Sequence, residues 1–178
     1  MKNYPKHIKN TLHSVIRDMA KHPEDFCYCP EKDFTRKRKL PFEKVLTLLV
    51  KMGGHSLRDE MLDFLDFKEV PASVSALVQQ RRKILPEALE YLFHKFTDDC
   101  HKPKQYRGYR LLAVDGSDLQ FTANPNDPLS YFPGVNGQKP YSFLHLNALY
   151  DLNSNLYLDA VVQKRRAANE NAALISMV

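Results

Sequence analysis

The sequence has no tryptophan, only three cysteines, and no stretch approaching the ~18 uninterrupted apolar residues of a membrane span. Cys27, Cys29 and Cys100 are too few and odd in number for a disulfide framework, which fits a reducing compartment. The C-x-C spacing of Cys27 and Cys29 is not that of a zinc knuckle, and no second knuckle follows. The start, MKNYPKHIKN, is charged but lacks the apolar segment of a secretion signal. A soluble, cytoplasmic protein without a membrane partner is the expectation. Ten Phe and nine Tyr within a 43% apolar composition supply a packed core and argue against general disorder. The 178 residues suffice for one substantial domain or two small ones.

Acidic residues are scarce relative to basic ones in the front of the chain, and the reverse holds at the back. Residues 1–110 carry 22 Lys/Arg against 15 Asp/Glu, whereas residues 111–178 carry 4 against 6. A basic front half suits a polyanion partner, and an acidic back half suits carboxylate chemistry. An ordinary basic surface accounts for the charge equally well.

Helical spacing runs through the front. Leu12, Val15, Ile16 and Met19 share a stripe, and so do Val45, Leu46, Leu48, Leu49 and Met52 after Pro41. Ser56 begins a third segment, with Asp59 at the capping-box position and Glu60 beside it. A fourth, ASVSALVQQRRKI, ends in amides and cations, and residues 86–96 form a fifth. Between the first two lies a polar stretch with the basic run Arg36, Lys37, Arg38 and Lys39, which reads as a loop or extended connector. The period changes near Tyr106. Residues 109–114 read as a strand, 121–142 as loop, and 143–150 and 156–163 as strands joined by a short turn. Asn169 then caps a helix.

Two groups of residues carry chemistry. In LLAVDGSDL, Asp115 follows an apolar run directly, and a carboxylate held rigidly at a strand end suits a divalent cation. An Asp opening a β-turn fits the same residues. Asp118, Asp151 and Asp159 read as structural or solvated. In the helical region, Gln79, Gln80, Arg81, Arg82 and Lys83 fall where the recognition helix of a tri-helical array would lie. Gln and Arg match base edges, and Arg and Lys neutralise phosphates. Arg58 and the run Arg36, Lys37, Arg38 and Lys39 would add backbone contacts. A solvated charged helix end is the plain alternative.

A strand bearing an Asp, two more strands joined by a tight turn, and then a helix form the opening of a ribonuclease H-like fold. The stretches KRKLPFEKVLTLLVKMGG, SALVQQRRKILPEALEYLFHKF, YRLLAVDGSDLQFTANPNDPLSYF and HLNALYDLNSNLYLDAVVQ together resemble the DDE-type transposases of bacterial insertion sequences, in the group with a Y-R-E-K signature. The resemblance implies that Asp115 is the first of three carboxylates holding two Mg²⁺ ions. One ion would activate water or a DNA 3′-hydroxyl, and the other would stabilise the leaving oxygen. It also implies that the front region binds double-stranded DNA at terminal inverted repeats. The second Asp and the Glu have no match here, so a truncated transposase, inactive alone, is expected, or a regulator of transposition derived from one. Possible partners are a second copy or a full-length transposase. The expected fold class is α+β: a helix-turn-helix-like bundle over residues 1–104, then a truncated ribonuclease H-like domain over 105–178 with three strands and one helix.

Overall fold

The computed structural model describes residues 4–36, 38–67 and 72–178. Lys37, one of the expected DNA contacts, lies outside them. The described residues form six α-helices and a four-stranded antiparallel sheet, an α+β protein. The chain divides into two compact units, Met1–Cys100 and His101–Val178. No described helix is long and apolar enough to cross a membrane.

The first unit holds α1 (Tyr4–Met19), a 3₁₀ turn (Pro23–Phe26), α2 (Phe42–Lys51), α3 (Leu57–Phe64), α4 (Val74–Arg81) and α5 (Glu87–Cys100). Its core follows the helical stripes: Val15, Ile16 and Met19 meet Val45, Leu46 and Leu48, with Met61, Leu77, Ala88 and Leu92 closing around them. Helix α2 packs on α1, α3 and α4, and α1 lies along α5. Ser56 caps α3 by accepting from the Asp59 amide at 3.3 Å, and its hydroxyl donates to Asp59 Oδ2 at 2.6 Å. Glu60 is buried instead of facing water, and its Oε1 accepts the amides of Gly53 and His55 at 2.8 Å each. The His55 amide, with that of Gly53, holds this carboxyl below its usual range against the opposing effect of burial.

The second unit is a sheet with one helix on it. Strand β1 (Leu112–Phe121) pairs antiparallel with β3 (Tyr141–Asp151), which pairs on its other side with β4 (Leu156–Lys164) and with the short β2 (Tyr131–Phe132). The first strand thus starts later and runs seven residues further than the expected 109–114. Residues 106–109 form a tight turn instead: Tyr106 and Tyr109 exchange both backbone hydrogen bonds, with Arg107 and Gly108 at φ 50° and 84°. Helix α6 (Glu170–Met177) lays Ala173 and Met177 on Leu149, Val114 and Val161. Asn169 Oδ1 accepts the Ala172 amide at 3.0 Å and caps α6. Asn169→Ala is expected to destabilise the second unit by about 1 kcal/mol, seen as a lower urea midpoint at an unchanged slope.

Candidate nucleic-acid interface and the Asp115 carboxylate

Helix α4 is only eight residues long and ends at Arg81, so Arg82 is its C-cap and Lys83 lies beyond it, not on a helix. Gln79, Arg81 and Arg82 are exposed. Gln80 is 7% exposed, because it lies one turn after buried Leu77 on the same inward face. It therefore does not reach a base edge from this helix, a correction to the expected set.

The connector is not a free loop. The Tyr28 amide donates to the Lys83 carbonyl at 3.0 Å, the Leu85 amide donates to the Phe26 carbonyl at 2.9 Å, and Cys27 bridges Ile84. Burial pushes the Cys27 thiol up to about 11, with Asp33 adding to the effect, so it stays protonated at neutral pH. These bonds bring the basic run to the end of α4. Arg36 and Arg38 line one cavity together with Lys83 and Gln80. Lys39 faces a different, more apolar cavity with Lys44, Met61 and Phe64. Arg58 is exposed on α3 and lines neither.

Asp115 lies in the interior of β1, opposite Ala148, which in turn stands opposite Ala160. Neither a strand-end carboxylate nor a turn-opening Asp describes it: the strand runs on through Gly116 and Ser117 to Phe121. Its side chain is exposed on the sheet face away from α6, because alternation puts Val114 and Leu149 on the covered face. Asp115 Oδ1 accepts the Gly116 amide at 2.9 Å.

The other acids are held elsewhere. Asp118 Oδ1 lies 2.7 Å from His145 Nδ1 and its Oδ2 accepts from Arg165 Nε at 2.8 Å; His145 first and Arg165 second lower its pKa. Asp151 is fully buried and anchors the β3–β4 turn. Asp159 accepts the Ala160 amide at 2.7 Å and shares the α6 face with its partner Leu149. No group of three or more His, Cys, Asp or Glu side chains among the described residues is placed to hold a metal ion. Asp115 with two alanines beside it does not fit a two-metal cage.

The cations at the end of β4 and just beyond it are also engaged within the unit. Lys164 pairs with Asp127 at 2.9 Å, Arg165 pairs with Asp118, and Arg166 donates to the Tyr131 carbonyl while its guanidinium lies 4.6 Å from the Phe132 ring centroid. Tyr141, Phe143 and Phe132 form one aromatic cluster, and His145 is buried behind it along β3. The position of Gln80 had a sequence signal in its spacing from Leu77, whereas the gathering of Arg36, Arg38 and Lys83 depends on long-range backbone pairing. Comparisons with family models, with curated proteins and with solved structures gave no match for this chain.

Proposed function

We propose that this chain is a transposase-type DNA-binding protein whose first unit grips double-stranded DNA, the terminal inverted repeats of an insertion sequence, and whose second unit is the opening of a ribonuclease H-like domain. The observation that carries the DNA reading is the convergence of Arg36, Arg38 and Lys83, from segments far apart in sequence, beside exposed Arg81 and Arg82. Cations collected at one place neutralise phosphates and release counterions, so binding strengthens steeply as salt falls. The ribonuclease H-like reading is supported by the spatial order β4–β3–β1, with Asp115 on the first strand and a helix after the third long one.

The family's Mg²⁺ chemistry needs further acids beside Asp115, and the described residues provide none, so no cleavage step is assigned to this chain. A second reading is a regulator that occupies the repeats without cutting them. The outer edge of β1 has no strand beside it among the described residues, which makes pairing with a second copy or a full-length transposase part of the same proposal.

Fluorescence anisotropy on inverted-repeat duplex, with a parallel Mg²⁺-dependent cleavage assay, tests it. Salt-sensitive binding without cleavage is expected, and each exposed cation removed at Arg81 or Arg82 should lower the log–log salt slope by about 1. Binding indifferent to salt sinks the DNA reading. Cleavage abolished by Asp115→Ala would show a complete metal site and sink the non-cutting assignment.

A further inference from the structure

The cavity between the connector and the end of α4 has features that a general basic surface does not require. Its volume is about 320 Å³, at the small end of the about 300–1,000 Å³ of ligand pockets. Lys32, Arg36, Arg38 and Lys83 line it against one carboxylate, Glu31. Among the described residues Lys32, Arg36 and Arg38 have no acidic partner, and Lys83 has only Asp33 at 3.5 Å. Like charges gathered with so little compensation repel one another, and an anion between them removes that cost.

The walls are preformed. The Cys29 carbonyl accepts the amides of Lys32 and Asp33 at 3.0 and 2.8 Å, and Asp33 Oδ2 accepts the Cys29 amide at 3.1 Å. Phe34 sits at φ 53°, a conformation rare for a bulky residue, with its ring edge-on to Phe42 at 5.5 Å and the Lys83 ammonium 5.7 Å from its ring centroid. Gln80 is the most telling member. It is more than nine-tenths buried, lines the cavity, and makes no side-chain hydrogen bond among the described residues. Its amide atoms are not among the buried unpartnered ones, so they are open to the cavity and available to a ligand there.

We infer that this cavity is a phosphate-binding pocket. The guanidinium forks of Arg36 and Arg38 and the Lys83 ammonium take the phosphate oxygens, and the Gln80 amide donates from the floor. The group is a backbone phosphate of bound DNA or a free phosphate compound; the first source rests on the proposed DNA binding, whereas the pocket itself does not.

Calorimetric titration of the full chain with pyrophosphate, and separately with duplex DNA, tests the pocket. Pyrophosphate is expected to bind one to a chain. The double variant Arg36→Ala/Arg38→Ala should weaken it at least about tenfold, the loss of two charge-assisted contacts. Gln80→Glu, nearly isosteric, should weaken it comparably by placing a carboxylate at the floor. Lys6→Ala/Lys9→Ala, two exposed cations of α1 that do not line the cavity, should leave it unchanged. Thermal melts check folding, and Arg36→Lys/Arg38→Lys, which keeps the charge and loses the fork, gives a second reading if the alanine variant is unstable; it should bind pyrophosphate more weakly than the native chain. Competition between pyrophosphate and duplex, with both weakened by the pocket variants, identifies the phosphate as that of DNA. Pyrophosphate binding at the pocket with duplex affinity indifferent to those variants keeps the pocket, assigns it a free phosphate compound, and removes Arg36 and Arg38 from the DNA contacts. Absence of pyrophosphate binding, or binding indifferent to Arg36, Arg38 and Gln80, overturns the pocket even where duplex still binds.

Discussion

Asp151→Ala is expected to destabilise the second unit by about 3 kcal/mol, the cost of stripping a buried charged acceptor from its donors. Asp151 has no exposed surface. Its Oδ1 accepts the amides of Asn153 and Ser154 at 2.9 and 3.0 Å, and its Oδ2 lies 3.0 Å from His101 Nε2. Its own carbonyl accepts the Asn155 amide at 2.8 Å, and Asn155 holds the left-handed φ of 54° that completes the β3–β4 turn. Alanine leaves two turn amides and an imidazole without their acceptor. A few kcal/mol is a large share of what a small unit has. The effect carries a pH signature. Burial pushes the Asp151 carboxyl up, but Ser154, His101 and the Asn153 amide outweigh it and hold the group well below its ordinary 3.8. Its folded pKa is depressed, so its contribution is fully present above 3.8 and disappears as pH falls towards the folded value. Urea midpoints of the native chain and Asp151→Ala should therefore differ widely at pH 7 and converge as acid is added. A difference unchanged by acid would mean that shape, not charge, holds the turn. Asp118 and Asp127, also depressed, leave a residual acid sensitivity in both proteins.

That turn was legible in the sequence because its signals are local: Asp, Asn and Ser between two apolar runs fold through their own side chains. The caps at Ser56 and Asn169 were legible for the same reason, and the stripes of α1 and α2 were too, since helical periodicity records which face is buried. Legibility fails where distant pairing overrides local preference. DGSD has turn composition, yet β1 carries it through ten residues because β3 supplies a partner at every position. The connector's polar, proline-rich composition gave no sign that Cys27 and Tyr28 stitch it to Lys83 and Ile84, so the cavity they shape had no counterpart in the sequence. Glu60, beside the capping-box Asp59, gave no local sign of burial, but the α2–α3 turn folds back and its amides bind the carboxylate in the interior. Asp115 is intermediate. Its association with the first strand was readable, whereas its place inside that strand and its exposure on the face away from α6 depend on a register that only pairing defines.

The continuation of β1 through DGSD is itself open to a mutational test at Gly116. A Cβ there would stand 2.7 Å from His145 Nε2, 2.9 Å from its Cε1 and 3.4 Å from Asn147 Oδ1. The imidazole has little room to retreat: His145 is buried, and its Nδ1 is held 2.7 Å from Asp118 Oδ1. Its Nε2 lies 3.2 Å from Glu170 Oε1 without a hydrogen bond between them. Gly116→Ala is accordingly expected to cost about 2 kcal/mol by overpacking, and Gly116→Val more. His145→Ala removes the obstacle along with the contact that most lowers the Asp118 pKa. The two substitutions occupy one space, so the double variant should be more stable than the sum of the single effects requires, by about 1–2 kcal/mol of coupling. Had DGSD been the turn that its composition allows, with Gly116 open to solvent, alanine would be close to neutral and the cycle would close without coupling. Urea denaturation of the four proteins therefore distinguishes a continuous strand from a turn. It bears directly on Asp115, because only the continuous strand sets that carboxylate beside Ala148 on the uncovered face of the sheet.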